Sequence, residues 1–421
     1  MNQEKTSLGR LLTGMCLGQF GLTIMTIVPI ALLLVFKFIE LDPQNVTADF
    51  SIVTGIGAVI NILMAYVGGA VSDRTTFLFG RRRTWIMIGT ICAAASLMGV
   101  ATAKSITVVI VFWCITLFFS NFATASYSAL IPDQIDESKR GTASGIIGVF
   151  NPLSILVGFT IMTAINSYSL IMKFGILSII SVVGAFLACT LIKDPPISEY
   201  KSAHRVNKLS FGERVSKIYP SPRKYPYFTW ALLTRFFIAV AFSASSYGTI
   251  YLMQKFGIAQ ESVTGISTIA TYLSMGGLMI SSIFGGMLSD KFRKQKPFVA
   301  GSAIICAIGV WMFAFAPSLT FYYIGNAVLG LGFGAFLAVD IALVARFLPN
   351  KEDAAKDFGI MNVAGNIPGS LVPVVATPLI AAGGFTLFYG ILGVAALLSA
   401  AAVAPVPEMS PNSVEEELAT Q

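Results

Sequence analysis

The sequence predicts an all-α membrane protein, with twelve transmembrane helices in two parallel-related bundles of six and both termini in the cytoplasm. This prediction depends on the composition, on a series of apolar runs and on two features that recur at one spacing. Of the 421 residues, 55% are hydrophobic and only 12% are charged, whereas a soluble domain carries about 25% charged residues. The composition excludes an ordinary soluble fold.

Apolar runs follow one another along the chain, and each is long enough to cross a hydrocarbon core of roughly 30 Å as a helix. Backbone polar groups in lipid must find partners within the segment, so continuous runs favour helices over the alternating pattern of a barrel. The first run is too long for a cleavable signal peptide. The predicted spans are 11–36, 49–71, 84–103, 106–131, 143–165, 169–192, 227–253, 263–288, 298–316, 319–348, 358–382 and 384–405.

The distribution of basic residues predicts the orientation in the lipid bilayer. If the N-terminus is cytoplasmic, 28 − 5 = 23 of the 28 Lys and Arg residues lie on that side. The five exceptions are Lys37, Lys104, Lys173 and Lys255 on the opposite side and Arg235 within a span. Such an asymmetry sets orientation by the positive-inside rule. The net charge of +7 therefore indicates a membrane topology and no nucleic-acid partner.

A polar segment rich in Pro, Ser and basic residues separates the sixth span from the seventh. It predicts a cytoplasmic linker between two bundles and leaves a short polar tail at the end of the chain. The predicted domains are the first bundle at 1–192, the linker at 193–226, the second bundle at 227–405 and the tail at 406–421.

The two predicted bundles share features at a constant offset. The stretch that begins at Gly68 has a counterpart at Gly285, and 285 − 68 = 217. Pro132, at the end of the fourth span, has a counterpart at Pro349, and 349 − 132 is again 217. Because six helices separate the copies, both bundles have the same orientation, which is the parallel-repeat arrangement of some transporters.

The loop after the second span concentrates charge in the stretch "GGAVSDRTTFLFGRRRTW", residues 68–85. Its Gly-x-x-x-Asp-Arg run, followed by Gly-Arg-Arg-Arg, resembles the loop motif of major facilitator superfamily transporters. Its longer form is similar to the version found in the branch of glycoside-pentoside-hexuronide symporters and sucrose carriers. The residues that carry the resemblance are Gly69, Asp73, Arg74, Gly80, Arg81, Arg82 and Arg83. The second copy, "GGMLSDKFRKQKPF", supplies Asp290 and Lys291 and lacks the Gly-Arg-Arg run.

The resemblance implies a gating role for this motif. When the cytoplasmic side closes, Asp73 would meet the start of the eleventh helix near Phe358, and Asp290 would meet the start of the fifth near Ala143. Arg74 and Arg82 would hold Asp73 in place. A carboxylate at a helix N-terminus is stabilised by roughly 0.3–2 kcal/mol. The alternative is that the arginines only anchor the loop to lipid headgroups while the aspartates balance their charge.

Two ionisable residues lie well inside predicted spans, namely Asp340 and Arg235. A charge at membrane depth costs at least about 2.5 kcal/mol and marks a functional site by default. Both residues lie roughly 12–14 Å from the cytoplasmic ends of their helices at 1.5 Å per residue. We therefore expect Asp340 to be the proton-coupling carboxylate, with Arg235 controlling its protonation. The alternative is a permanent ion pair that locks the seventh helix to the tenth.

Amide and phenol side chains at middle depth are candidates for binding a substrate. Such groups both donate and accept hydrogen bonds, and aromatic faces suit the apolar faces of sugars. For each residue alone, a hydrogen bond between helices is the alternative role. As a set they favour a neutral polar ligand. The candidates are Gln19, Asn61, Asn121, Tyr247, Asn326 and Asn366.

The sequence thus predicts a monomeric transporter of the plasma membrane, the inner membrane of the cell, that imports a neutral sugar or glycoside with protons. Proton-driven efflux of drugs or metabolites, and sugar uniport, are the alternatives. An enzyme is not expected, because the one histidine, His204, lies in the linker and no metal, cofactor or nucleophile pattern is evident. The absence of a G-x-x-x-x-G-K-[ST] loop argues against an ATP-driven pump.

Overall fold

The computed structural model describes residues 6–74, 79–194, 225–292, 295–346, 360–361 and 363–406. Within these residues the regular structure is helical, and eleven helices are long and apolar enough to cross a membrane. The predicted all-α membrane fold is confirmed. The helices are α1 Leu8–Leu41, α2 Val46–Arg74, α3 Arg81–Thr102, α4 Ile106–Gln134, α5 Glu137–Ala164, α6 Leu170–Leu191, α7 Pro226–Phe256, α8 Gln260–Phe292, α9 Lys296–Ala314, α10 Leu319–Arg346 and α11 Pro368–Ala402.

Helix α11 has 35 residues and contains two non-helical positions, Gly383 and Gly384. Gly384 has φ 64° and ψ −167°, a backbone conformation that is essentially restricted to glycine. The change of direction falls between the predicted spans 358–382 and 384–405. Two apolar segments are therefore joined without a polar loop, while the count of twelve spans and the location of the termini stay predictions.

Two other helices contain short irregular segments that follow from their sequence. In α1 the segment Pro29–Leu33 forms a π turn, because proline has no N–H to continue the regular hydrogen-bond ladder. In α7 the α-helix ends at Phe242, and Ser243–Tyr247 forms a 3-10 turn before the helix resumes. The irregular turn separates two parts of α7 that belong to different compact units.

The first compact unit contains the described residues of Met1–Val206 together with Ser246–Thr268. Within it α3 packs along α4, and α1 packs along α6. An alanine at Gly21 would place its Cβ 2.6 Å from the Cα of Ser181, so the close approach of α1 to α6 requires a residue without a side chain.

The segment Ser246–Thr268 comprises the end of α7 and the start of α8, and it is bound into this first unit by hydroxyl groups. Thr249 donates to the carbonyl of Ala31 at 2.5 Å. The hydroxyl groups of Thr163 and Thr268 are 2.7 Å apart. The predicted bundle boundaries at 192 and 227 remain a prediction, and residues 195–224 of the predicted linker lie outside the described part of the chain.

The second unit contains the described residues of Asn207–Ser245 and Ile269–Gln421. Here α9 packs along both α10 and α11, and α7 packs along α11. Ser399 of α11 donates to the carbonyl of Thr234 in α7 at 2.8 Å, and the indole of Trp311 in α9 donates to Gly390 of α11 at 3.1 Å. These bonds join both α7 and α9 to the part of α11 that follows Gly384. The predicted tail lies mostly outside the described residues.

Candidate transport site

The two charges predicted to lie inside the membrane form an ion pair within the second unit. Nη1 of Arg235 donates to Oδ2 of Asp340 at 3.0 Å. The Asp340 side chain is 1% exposed and the Arg235 side chain is 19% exposed. The second carboxylate oxygen, Oδ1 of Asp340, is buried and has no hydrogen-bond partner among the described residues. In this pair the Arg235 guanidinium balances the charge of Asp340, while Oδ1 of Asp340 accepts no hydrogen bond from the described residues.

Packing between α7 and α10 explains why these two side chains meet. Phe242 of α7 stacks on Phe333 of α10, with ring centroids 3.7 Å apart and planes 9° apart. Phe242 lies 242 − 235 = 7 residues after Arg235, and Phe333 lies 340 − 333 = 7 residues before Asp340. The two contacts therefore lie on one antiparallel seam, separated by two helical turns on each helix.

Amide side chains lie near the midpoints of helices in the first unit. Nδ2 of Asn121, in α4, donates to Oδ1 of Asn61, in α2, at 2.7 Å. The same nitrogen donates to the carbonyl of Leu117 at 2.7 Å. In α1, Thr23 donates to Oδ1 of Asn151, in α5, at 3.4 Å. Asn151 is exposed although it lies in the middle of a 28-residue helix. The unit thus carries uncharged donors and acceptors at middle depth.

The other predicted substrate residues have different surroundings. Gln19 is half-buried, one helical turn before Thr23, and Asn366 is exposed in the turn of helix that precedes α11. Asn326 is buried and donates to the carbonyl of Tyr322 in its own helix at 2.9 Å. The structure brings Asn61 and Asn121 together, and it places Asn326 in a local helical contact.

Tyr247 lies in the first unit, among residues near the start of α2. Its hydroxyl is 3.0 Å from the hydroxyl of Ser51, and its ring meets Phe50 edge to face at 5.2 Å. The side chain is buried. Ser51 is 51 − 46 = 5 residues from the first residue of α2, so Tyr247 contacts the end of that helix, about two turns or more from its middle.

The arginines of the loop motif bind an aspartate that the sequence reasoning did not select. Nε of Arg82 is 2.9 Å from Oδ2 of Asp133, and Nη2 of Arg81 is 2.6 Å from the same oxygen. Arg82 also donates to the hydroxyl of Ser72 at 2.9 Å. The guanidinium of Arg82 is buried, so these charge-assisted bonds join the start of α3 to the ends of α2 and α4.

Gly80 and Asp194 form a second contact at the start of α3. Oδ2 of Asp194 accepts the backbone N–H groups of Arg82 at 2.5 Å and of Arg83 at 3.1 Å. A carboxylate in this position satisfies N–H groups that have no partner inside the helix and also interacts favourably with the helix dipole. Gly80 has φ 109° and ψ 154°, and its backbone lies close to this carboxylate, since a Cβ at Gly80 would be 2.7 Å from Oδ2 of Asp194.

The predicted gate cannot be followed at its aspartates. The backbone of α2 is described through Gly69, Asp73 and Arg74, and that of α8 through Asp290, but the side chains of Asp73, Arg74 and Asp290 lie outside the described residues. Phe358, the predicted helix start, also lies outside them. Lys291 is exposed. The gating roles of these residues stay predictions.

Three residues of the candidate site were missed by sequence reasoning. Asp133 follows Pro132, which has its counterpart at Pro349, and Asp194 lies at the start of the predicted linker. From the sequence alone, both resemble ordinary acidic residues of loops. Asn151 precedes a proline inside α5, and its amide at the middle of a span was the available signal. What sets these three residues apart from other Asp and Asn residues is their exposure and their hydrogen-bond partners. Both depend on how each helix is rotated about its axis, which the sequence does not show.

A helical membrane domain with a buried ion pair, uncharged polar groups at middle depth and a charged loop between α2 and α3 defines a small-molecule transporter of the membrane. The chain belongs to the Major Facilitator Superfamily, whose family model matches residues 10–280 and 260–420. It is a multi-pass membrane transporter and therefore not an enzyme.

Individual relatives differ in what they carry. Dipeptide and tripeptide permease A of Pectobacterium carotovorum is 32% identical over 137 residues, which are 32% of this chain and 26% of the permease. The chain thus aligns with about a quarter of that relative's length. Sucrose transport protein SUC4 of Arabidopsis thaliana is 22% identical over 427 aligned positions, covering 83% of this chain and 82% of the relative.

Solved transporter structures show the same fold over almost the whole chain. A D-xylose-proton symporter superposes with a TM-score of 0.70 at 15% identity, covering 95% of this chain and 97% of the symporter. The nucleoside transporter NupG superposes with a TM-score of 0.73 at 14% identity, covering 94% and 98%. At these identities the likeness extends to the fold alone.

Proposed function

We propose that the protein imports a neutral sugar or glycoside together with protons, by alternating access, as a monomer in the plasma membrane. The observation that carries the proposal is the ion pair of Asp340 and Arg235 at membrane depth. A carboxylate in this position is retained at a cost of several kcal/mol unless it is paired. Within the described part of the chain, Oδ1 of Asp340 has no hydrogen-bond partner, so a proton can bind there without displacing another hydrogen bond.

The choice of substrate is supported by the uncharged groups of the first unit. Asn61, Asn121 and Asn151 offer amides that both donate and accept, as hydroxyl-rich ligands require. Among the relatives, one is named as a sucrose transport protein and one solved structure as a D-xylose-proton symporter. Peptide permeases are also among them, so the sugar is the part of this proposal that needs its own test.

Two other functions would use the same pair differently. In a uniporter the pair is a permanent lock between α7 and α10, and replacing both members by apolar residues of similar volume would leave transport intact. In a proton-driven efflux protein the same carboxylate would couple an outward flow. One experiment must therefore measure both the direction of transport and its dependence on the proton gradient.

The experiment is uptake of radiolabelled sucrose and maltose into vesicles that contain the purified protein, with and without an inward proton gradient. We expect accumulation above the external concentration that a protonophore abolishes. In Asp340→Asn, accumulation should be lost while exchange of internal for external sugar continues, because an amide keeps the shape but cannot carry the proton. Asp49→Asn is the matched control, since Asp49 is a buried acid near the start of α2.

The outcomes separate the alternatives. Full accumulation by Asp340→Asn, or by the double variant Arg235→Leu/Asp340→Leu, would refute coupling through this pair and support the lock. Equilibration without accumulation by the wild type would indicate uniport. No entry of either sugar, with the gradient intact, would favour efflux.

A further inference from the structure

The three consecutive arginines at the start of α3 have different partners. Arg81 and Arg82 both bind Oδ2 of Asp133, at 2.6 and 2.9 Å. Arg83 forms no ion pair with a carboxylate of the described residues, and its buried Nε has no hydrogen-bond partner among them. A guanidinium is always charged, and a half-buried one is stabilised by a counter-charge. The charge of Arg83 is therefore available to an anion from outside the protein.

The guanidinium of Arg83 lies over an exposed aromatic ring. Its Cζ is 4.4 Å from the ring centroid of Phe79, and Phe79 is 48% exposed. An aromatic face attracts a cation without neutralising its charge. The carboxylate of Asp194 accepts the backbone N–H of Arg83 at 3.1 Å, and the described contacts include no ion pair between this carboxylate and the guanidinium. Arg83 is thus held in place while its charge stays uncompensated.

The last turn of α6 lies beside Arg83 and beside a second arginine. Sγ of Cys189 donates to the carbonyl of Arg83 at 3.6 Å, and the Arg83 side chain lies next to this thiol. The carbonyl of the following residue, Thr190, accepts a hydrogen bond from Nη2 of Arg10 at 3.0 Å. Arg10 is exposed, and it too has no carboxylate partner among the described residues. Arginines from the starts of α1 and α3 therefore flank the end of α6.

Basic residues outnumber acidic ones at this end of the three helices. Residues 8–11, 81–84 and 188–194 contain five basic side chains and one acidic side chain. The acid of this set already accepts two backbone N–H groups at the start of α3. A surface with this excess of one sign attracts anions. The residues are Arg10, Arg81, Arg82, Arg83, Lys193 and Asp194.

A row of exposed apolar side chains leads along α6 away from these arginines. Its members are spaced three or four residues apart, which places them on one face of the helix. Thr190, whose carbonyl binds Arg10, is exposed at the end of the same face. From residue 179 to residue 190 the helix rises roughly 16 Å, close to half of a hydrocarbon core of about 30 Å. The row comprises Ile179, Val183, Phe186 and Leu187.

We propose that the end of α6 is a binding site for an anionic phospholipid such as phosphatidylglycerol. The guanidinium of Arg83 binds the lipid phosphate, Arg10 adds a second positive charge, and the acyl chains lie along the exposed face of α6. A guanidinium matches a phosphate with two parallel hydrogen bonds. A zwitterionic headgroup would bring its own cation close to five basic side chains, so the site favours a lipid with net negative charge.

The proposal gives the three arginines separate functions. Arg81 and Arg82 hold the protein together through Asp133, whereas Arg83 binds the surrounding leaflet. The bound lipid would join the starts of α1 and α3 to the end of α6, so it should stabilise the first unit against unfolding. This inference goes beyond the proposed function and does not depend on which substrate the protein carries.

The first test measures lipid binding to the full-length protein purified in detergent. Native mass spectrometry gives the association constants of phosphatidylglycerol and phosphatidylcholine with identical acyl chains. Arg83→Gln should weaken phosphatidylglycerol binding roughly 5-fold, as expected for one charge at an anionic headgroup, and leave phosphatidylcholine binding unchanged. Arg83→Lys should keep most of the preference, because it keeps the charge.

The matched control is Lys104→Gln, which removes an exposed charge just beyond the opposite end of α3. Phosphatidylglycerol should raise the unfolding temperature of this variant and of the wild type more than that of Arg83→Gln. Equal phosphatidylglycerol affinity of Arg83→Gln and Lys104→Gln would overturn the proposal.

The second test locates the lipid in the wild type, so it does not require a folded variant. The protein is placed in vesicles that contain phosphatidylglycerol or phosphatidylcholine with a photoactivatable group in one acyl chain. We expect cross-links to the α6 peptide that carries residues 179–187, several times more abundant with phosphatidylglycerol. Equal labelling of this peptide by both lipids would show ordinary contact with the bilayer and would contradict the proposal.

A competition experiment separates a lipid from a soluble phosphate. Glycerol phosphate carries the same phosphate chemistry as phosphatidylglycerol but has no acyl chains. At 100-fold excess over phosphatidylglycerol it should leave lipid binding unchanged, because the apolar face of α6 contributes to the affinity for the lipid alone. Displacement of the lipid by glycerol phosphate would indicate a site for a soluble anion and would refute a lipid site.

Discussion

Replacing Gly80 by alanine tests how the loop between α2 and α3 is held. In the structure Gly80 has φ 109° and ψ 154°, in the region that non-glycine residues avoid. A Cβ at this position would be 2.7 Å from Oδ2 of Asp194 and 2.8 Å from its carbonyl oxygen. Alanine therefore both strains the backbone and displaces the carboxylate that binds the start of α3.

The expected magnitude is the sum of two effects. A non-glycine residue in this backbone region costs of the order of 1–3 kcal/mol. Loss of a side-chain acceptor at a helix N-terminus costs about 0.5–2 kcal/mol. Gly80→Ala should therefore lower the free energy of unfolding by roughly 1.5–5 kcal/mol. Asp194→Ala should lower it by only about 0.5–2 kcal/mol, because it removes the side-chain acceptor and leaves the backbone unstrained.

The assay is a double-mutant cycle on unfolding of the detergent-solubilised protein. If Gly80 and Asp194 act through one contact, the double variant Gly80→Ala/Asp194→Ala should be little less stable than Gly80→Ala alone. Gly145→Ala in α5 is a control, since a Cβ there meets no atom within 4 Å. Fully additive losses, or an Asp194→Ala protein as stable as the wild type, would refute the capping role of Asp194.

Three further changes test other contacts of the described structure. Tyr247→Phe and Ser51→Ala should each lower the free energy of unfolding by about 1 kcal/mol. Both variants remove the same hydrogen bond, so the double variant should be no less stable than either single variant; additive losses would contradict this. Asn121→Leu should raise the KM for sugar more than it lowers stability if Asn61 and Asn121 bind substrate, while a stability loss with unchanged KM would show a purely interhelical bond. Gly334→Ala should prevent normal packing of α10 on α8, because its Cβ would overlap the backbone of Leu278. The control is Gly301→Ala in α9, where a Cβ meets no atom within 4 Å; equal stability of the two variants would exclude such close packing in solution.

Hydropathy was sufficient to predict the helical membrane fold, because a backbone in lipid has few ways to satisfy its hydrogen bonds. It was less informative about helix ends. The predicted break near residue 383 coincides with Gly383 and Gly384, but the chain there changes direction without a polar loop. Nor did the pattern show that Ser246–Thr268 would pack in the unit of the first six helices, since periodicity in one segment carries no information on its partner.

Some residues of the candidate site could be predicted from the sequence, and others could not. Residue type and depth alone selected Asp340, Arg235, Asn61 and Asn121, because an ionisable or amide side chain inside an apolar run is rare enough to stand out. The role of the loop arginines came from resemblance, and the acid that Arg82 binds, Asp133, was not anticipated.

By itself, the sequence determined the class of fold, the presence of two charges at membrane depth and the position of the charged loop. These follow from composition and spacing, which act along the chain. The tertiary structure alone decided that Asp340 and Arg235 form a pair and that the half-buried arginine is its more exposed member. Contacts of this kind depend on the rotation of each helix about its axis and on the packing of neighbours distant in sequence, and neither is encoded in the local hydropathy of a span.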